Sequence, residues 1–369
     1  MVSDMGKNDL TTGNPFTSLL KFAVPVILGN LFQLFYTLAD SVIVGKTLGS
    51  DALAAVGSTS IIIYFVFCFI NGFTGGFGIC LGQAFGAKDE SGMRKSIAVS
   101  IILCIFFTVI LTLICGLFSH SFITLMRIPD DISKDAYSYM FVVLMGTGAT
   151  VFYNMISNIL RALGDSKTPL YFLIVSSVLN ILLDILFIIP FKMGVAGAAW
   201  ATILSQFLSA LLSLFMGLKK FEILHLHRTD FKNLKKAMIK HLKTGFPMGF
   251  QMSVMCIGII VLRHPIVRLF LTKPAHTIYH YSDMYLTIVA PFYFMLGLLA
   301  VYCTTIQSMQ NGRAPFIACI IELVMRLAAT LGLSGIIGYT SVCIASPLAW
   351  FGACAFLIPC YCIMIRRTS

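Results

Sequence analysis

Residues 52–84 read ALAAVGSTSIIIYFVFCFINGFTGGFGICLGQA, a stretch with no Asp, Glu, Lys, Arg or His. A helix over this run is about 50 Å long at 1.5 Å per residue, longer than the ~30 Å hydrocarbon core of a bilayer. A run of that length is read as a tilted or extended membrane span. Nine further apolar runs resemble it, at roughly 20–44, 95–118, 137–160, 168–190, 193–218, 244–262, 284–308, 315–337 and 342–365. The whole chain has the same character: 58% of its 369 residues are hydrophobic and 11% charged. A soluble domain carries about 25% charged residues to cover its surface. Soluble enzymes, nucleic-acid modules and disordered proteins are thereby excluded. The expected fold is an all-α polytopic membrane protein, multi-pass in the plasma (inner) membrane.

Charge sets the expected orientation. With the N-terminus inside, eighteen Lys and Arg fall on inner segments and seven on outer ones. Both termini are therefore expected in the cytoplasm. The outer seven include Arg127, Arg263, Arg268 and Lys273, so 263–283 is the least typical outer segment. The polar N-terminus runs into a long apolar span, and no cleaved signal peptide is read there. The eleven cysteines lie inside apolar runs, and the two close ones, Cys360 and Cys362, have neither zinc nor redox spacing. They read as small apolar helix residues. No phosphate-binding Gly-rich motif is present, so a single-chain ATP-driven pump is not expected.

The polar stretch 219–243 reads as a basic cytoplasmic linker. It separates an N-lobe of six transmembrane helices, 1–218, from a shortened C-lobe of about four, 244–369. The halves are pseudo-repeats. Leu20-Lys21-Phe22-Ala23-Val24-Pro25 is echoed by Leu242-Lys243-Thr244-Gly245-Phe246-Pro247, 222 residues on. Asp165-Ser166-Lys167-Thr168-Pro169 is echoed by Asn311-Gly312-Arg313-Ala314-Pro315, 146 on. Pro129 pairs with Pro274 and Gly194 with Gly338. The offset falls from 222 to about 145 between Leu262 and Arg263. The second half thus lacks a counterpart to about 77 residues, roughly 41–118.

Ionisable groups inside a membrane are costly and are functional candidates. Asp40 and Asp184 fall near the outer ends of two outward-running spans, at depths differing by about 3 Å. Two carboxylates at one depth can share Na⁺ or a proton. Asn180 lies one turn below Asp184, and Thr202 falls at nearly the same depth. Asp40, Asn180, Asp184 and Thr202 supply hard oxygen ligands for a cation or proton, with Na⁺ the metal that Asp40 and Asp184 would hold. Helix–helix hydrogen bonding is the competing reading. Asn154 and Asn158, an i,i+4 pair, either line a cavity or bind a neighbouring helix. Glu322 and Arg326, also i,i+4, read as a self-neutralised pair or as a second cavity-lining site. Pro25 and Pro247 each free a carbonyl and permit a hinge. No cofactor is expected beyond the coupling ion, no catalytic residue, and no nucleic-acid partner.

These residues resemble the multidrug and toxic compound extrusion (MATE) family. The resemblance rests on Pro25 with Asp40-Ser41-Val42-Ile43-Val44-Gly45 and Leu53-Ala54-Ala55-Val56-Gly57. It also rests on 160–169, on Ile321-Glu322-Leu323-Val324-Met325-Arg326 and on Pro347-Leu348-Ala349-Trp350. It implies two six-helix lobes around a central cavity. It also implies export of organic cations and other drugs, by a monomer in the lipid bilayer, driven by inward Na⁺ or H⁺. The family's N-lobe ion site maps onto Asp40, Asn180, Asp184 and Thr202, with Asn154 near the cavity. Its seventh- and tenth-span acids are missing here, and so are two C-lobe spans. Two alternatives stand beside secondary antiport. One is a transport-defective truncated relative. The other is a lipid-linked oligosaccharide flippase of the same superfamily, against which Arg326 as the one intramembrane cation counts.

Overall fold

The computed structural model describes residues 15–126, 128–270, 284–285 and 287–368, with side chains omitted at 15–16, 19, 254–270 and 367–368. Lys7, Arg127, Lys273 and Pro274 lie outside the described residues, as do the side chains of Arg263 and Arg268. Among the described residues there is helix and no strand. The chain forms two compact units, Met1–Leu242 and Lys243–Ser369.

The first unit contains α1 (Pro15–Leu48), α2 (Ser50–Gly86), α3 (Glu90–Leu125), α4 (Asp130–Met145), α5 (Thr147–Ala162), α6 (Lys167–Ile188) and α7 (Gly194–Lys220). Helix α8 (Lys235–Phe270) begins there and continues into the second unit. The second unit adds α9 (Tyr293–Ser308), α10 (Arg313–Ile337) and α11 (Tyr339–Thr368). Among the described residues eight helices are long and apolar enough to cross a bilayer, or nine with α4 and α5 counted as one bent span. Ten apolar runs are expected from the sequence. The tenth run, 244–262, lies in helix α8, whose side chains from 254 on are outside the described residues. Outward faces are apolar, with Phe35 64% and Leu117 79% exposed, as lipid contact requires.

Polar residues mark the helix starts. Asp89 caps α3, accepting from Gly92 N at 2.9 Å, and Asp130 and Asp131 occupy the first turn of α4. The expected hinges at Pro25 and Pro247 both lie inside continuous helix. The sharp break is elsewhere. Gly146 separates α4 from α5 with a 44° bend. A Cβ on Gly146 would come within 2.2 Å of Ile203 Cδ1, so the Ile203 side chain of α7 occupies the space that a side chain at 146 would need.

The internal repeat appears in the hydrogen bonds of two loops, at a constant offset of 146. Asp165 N donates to Leu160 O at 2.9 Å, and Asn311 N to Ile306 O at 3.2 Å. Gly164 N donates to Arg161 O at 3.0 Å, and Gln310 N to Gln307 O at 2.9 Å. Thr168 N donates to Asp165 Oδ1 at 3.1 Å, and Ala314 N to Asn311 Oδ1 at 3.2 Å. Gly164 and Gln310 share a left-handed backbone, φ 83° and 63°. The following loops repeat at an offset of 144, with Gly194 at φ 60° and Gly338 at 56°. The hairpins α6–α7 and α10–α11 are therefore two copies of one motif.

The stretch 219–243 is not a free linker. Residues 219–242 belong to the first unit, and short 3-10 turns form at Glu222–Leu224 and Arg228–Phe231. Ile223 is buried, Arg94 donates to the carbonyl of His225, and His241 Nε2 meets Ser96 Oγ at 2.8 Å. This basic collar is docked on the start of α3, with its lysines outward.

Candidate ion-coupling site

Three helices of the first unit each contribute two residues one turn apart: Tyr36 and Asp40 from α1, Asn180 and Asp184 from α6, Thr202 and Gln206 from α7. The i,i+4 spacing puts each pair on one helix face. Asn180 Nδ2 donates to Thr202 Oγ1 at 3.4 Å, and the Thr202 hydroxyl donates to Ala198 O at 3.1 Å. The carboxyl groups of Asp40 and Asp184 lie within electrostatic range of each other. Tyr36 lies within interaction range of Thr202 and Gln206, and Thr150 of α5 donates to Gln206 Oε1 at 2.8 Å. Tyr139 of α4 lies within electrostatic range of both carboxyls.

Burial makes the site chemically demanding. Asn180 and Asp184 are fully buried and Asp40 and Thr202 nearly so. Four oxygens have no hydrogen-bond partner: Asp40 Oδ1, Asn180 Oδ1 and both oxygens of Asp184. All four are acceptors. Two unpaired carboxylates in an apolar bundle cost several kcal/mol each unless a proton or cation joins them. The arrangement suits Na⁺ or H⁺. No cluster of three or more His, Cys, Asp or Glu suited to a transition metal occurs among the described residues.

The structure thus brings Asp40, Asn180, Asp184 and Thr202 together. Asn154 instead donates to Thr150 O of its own helix at 2.8 Å, and Asn158 donates to Thr74 Oγ1 of α2 at 3.1 Å. Asn158 therefore joins helices. Neither asparagine lines the apolar cavity of about 460 Å³ beside the Gly146 bend, whose wall includes Phe141, Met145, Trp200 and Phe207. Glu322 and Arg326 form an ion pair on α10, in the second unit. Sequence reasoning missed Tyr36, Tyr139, Thr150 and Gln206. Tyr36 and Gln206 stand one turn from Asp40 and Thr202, so the same-face spacing was available to find them.

The MatE family model matches residues 25–186 and 192–331. The chain is 35% identical to the probable multidrug resistance protein YpnP of Bacillus subtilis, over 69% of this chain and 57% of that protein. It is 30% identical to the probable multidrug resistance protein YoeA of the same organism, over 66% and 54%. The chain spans a little over half the length of these curated relatives. A solved outward-facing multidrug resistance MATE family transporter of the MOP superfamily superposes with a TM-score of 0.82 at 19% identity. That match covers 96% of this chain and 97% of the other.

Proposed function

Since the chain belongs to the MATE family of efflux transporters, we propose that it exports small organic molecules, organic cations among them, by antiport against Na⁺ or H⁺. One observation carries the reading: four buried acceptor oxygens on two helices converge with no donor to satisfy them. An ion entering from outside joins Asp40 to Asp184 and removes the cost of two bare carboxylates. With the ion gone, like charges on α1 and α6 repel. The ion thus biases the separation of α1 from α6, and a bias between two shapes is what coupled transport requires. Lys and Arg asymmetry supports cytoplasmic termini in the inner membrane, and the reading takes the transporter as a monomer.

The test is drug efflux from vesicles under separate Na⁺ and pH gradients. Efflux driven by one gradient is expected, with loss of at least tenfold in Asp40→Asn. Ion-driven efflux unchanged in Asp40→Asn rules out the carboxylate pair as the coupling site. A specific observation favours a second reading, a transport-defective member of the family. The second unit repeats the α6–α7 hairpin, yet its sequence has no counterpart to residues 41–118. Ion binding at the pair without efflux would fit that reading.

A further inference from the structure

The repeat allows the carboxylate site to be traced into the second unit. At the 146 offset Asn180 corresponds to Arg326 and Asp184 to Thr330. At the 144 offset set by Gly194 and Gly338, Gln206 corresponds to Trp350. The second set is also buried: Thr330 is 5% exposed, Trp350 4% and the Arg326 side chain 16%. Its polarity is reversed. The unpartnered atoms here are Arg326 Nε, Thr330 Oγ1 and Trp350 Nε1. Guanidinium and indole N–H groups can only donate, and the Thr330 hydroxyl is free to donate. At the carboxylate site of the first unit the unpartnered atoms are acceptors, and at the corresponding positions of the second they are groups that can donate.

Helix packing brings these donors to one level. Gly352 on α11 packs so tightly on α10 that a Cβ there would lie 1.8 Å from Met325 Sδ. Cys354, one turn beyond Trp350, is within electrostatic range of Glu322, one turn before Arg326. In an antiparallel pair, Cys354 beside Glu322 sets Trp350 at the level of Arg326. Glu322 pairs with Nη2 of Arg326, and the Nε of the guanidinium is buried without a hydrogen-bond partner.

We propose that Arg326, Thr330 and Trp350 form a binding site for a small anion, either a halide or the carboxylate of an organic molecule. The anion accepts from Arg326 Nε, Trp350 Nε1 and the Thr330 hydroxyl. Glu322 is its built-in competitor, since it already draws on the same guanidinium. The site does not depend on ion coupling at Asp40 and Asp184.

The chain has two tryptophans, so Trp200→Phe leaves Trp350 as the sole indole reporter. This full-length variant in nanodiscs is titrated with sodium chloride and, separately, with sodium acetate, at ionic strength held constant by sodium sulfate. A saturable change in indole emission is expected with at least one salt. Chloride alone identifies a halide site, and acetate alone an organic carboxylate site. Glu322→Gln should lower the half-saturating concentration severalfold. The neutral pair E322Q/R326Q should abolish saturation, Thr330→Val should raise half-saturation severalfold, and Asp40→Asn should titrate like the parent. No saturable change with either salt, or an equal response in E322Q/R326Q and Thr330→Val, overturns the proposal.

Discussion

Two residues of the first unit, Asp165 before α6 and His241 on α8, show how burial and partners set a titration. Asp165 is 3% exposed, which by itself raises its carboxyl pKa. Lys220 at 2.6 Å and the hydroxyl and amide of Thr168 outweigh burial and hold the group below the ordinary carboxylate range. Its stabilising contribution is present above pH ~4 and lost as pH falls through the depressed value. Asp165→Ala removes the cap of α6 and should cost about 1 kcal/mol, read as a lowered Tm. Asp165→Asn should cost less, because Asn311 caps α10 in the same register. His241 has the opposite charge logic. Burial pushes its pKa down to about 4, aided by Lys240 and opposed by the Ala237 carbonyl that its Nδ1 meets at 2.8 Å. The folded value lies below the ordinary ~6.5, so stability is complete above pH 6.5 and declines as pH falls toward 4. The slope of Tm against pH over that window should be shallower in His241→Gln.

At the scale of elements, the repeated loop carries a local test. Gly164 has φ 83°, a left-handed conformation that costs an L-residue about 1–2 kcal/mol. Gly164→Ala should lower Tm accordingly, with the hydrogen bonds of the loop retained. Hydropathy alone located most spans, because the apolar runs are bounded by charge or by Gly and Pro. It did not reveal the break at Gly146, since no charge interrupts 137–160 and Ile203, whose side chain sits against Gly146, is some fifty-seven residues away. Nor did it show that α8 runs on to Phe270 through Arg263 and Arg268. The carboxylate pair was legible because charge is rare in a bilayer and two acids at one depth stand out. Tyr139 and Thr150 were not, because polar residues that are common in helices become informative only once neighbouring helices are placed, whereas Tyr36 and Gln206 could have been found one turn from Asp40 and Thr202.

For the whole molecule, the sequence asymmetry of Lys and Arg predicts that a C-terminal green fluorescent reporter is fluorescent and a C-terminal alkaline phosphatase inactive. The reverse pattern would invert the direction of every span and put the carboxylate pair toward the inner face. The internal repeat was readable from short motifs at fixed offsets, but its reversal of polarity was not. Arg326 beside Glu322 reads in sequence as a closed pair, and the open donors appear only when Trp350 and Thr330 are seen buried around it. The collar on α3 has a further meaning for synthesis. Its contacts at Arg94–His225 and Ser96–His241 close loops of 131 and 145 residues. Neither contact can form until α4 to α7 have left the ribosome, so in the order of translation the collar is the last part of the first unit to be set in place.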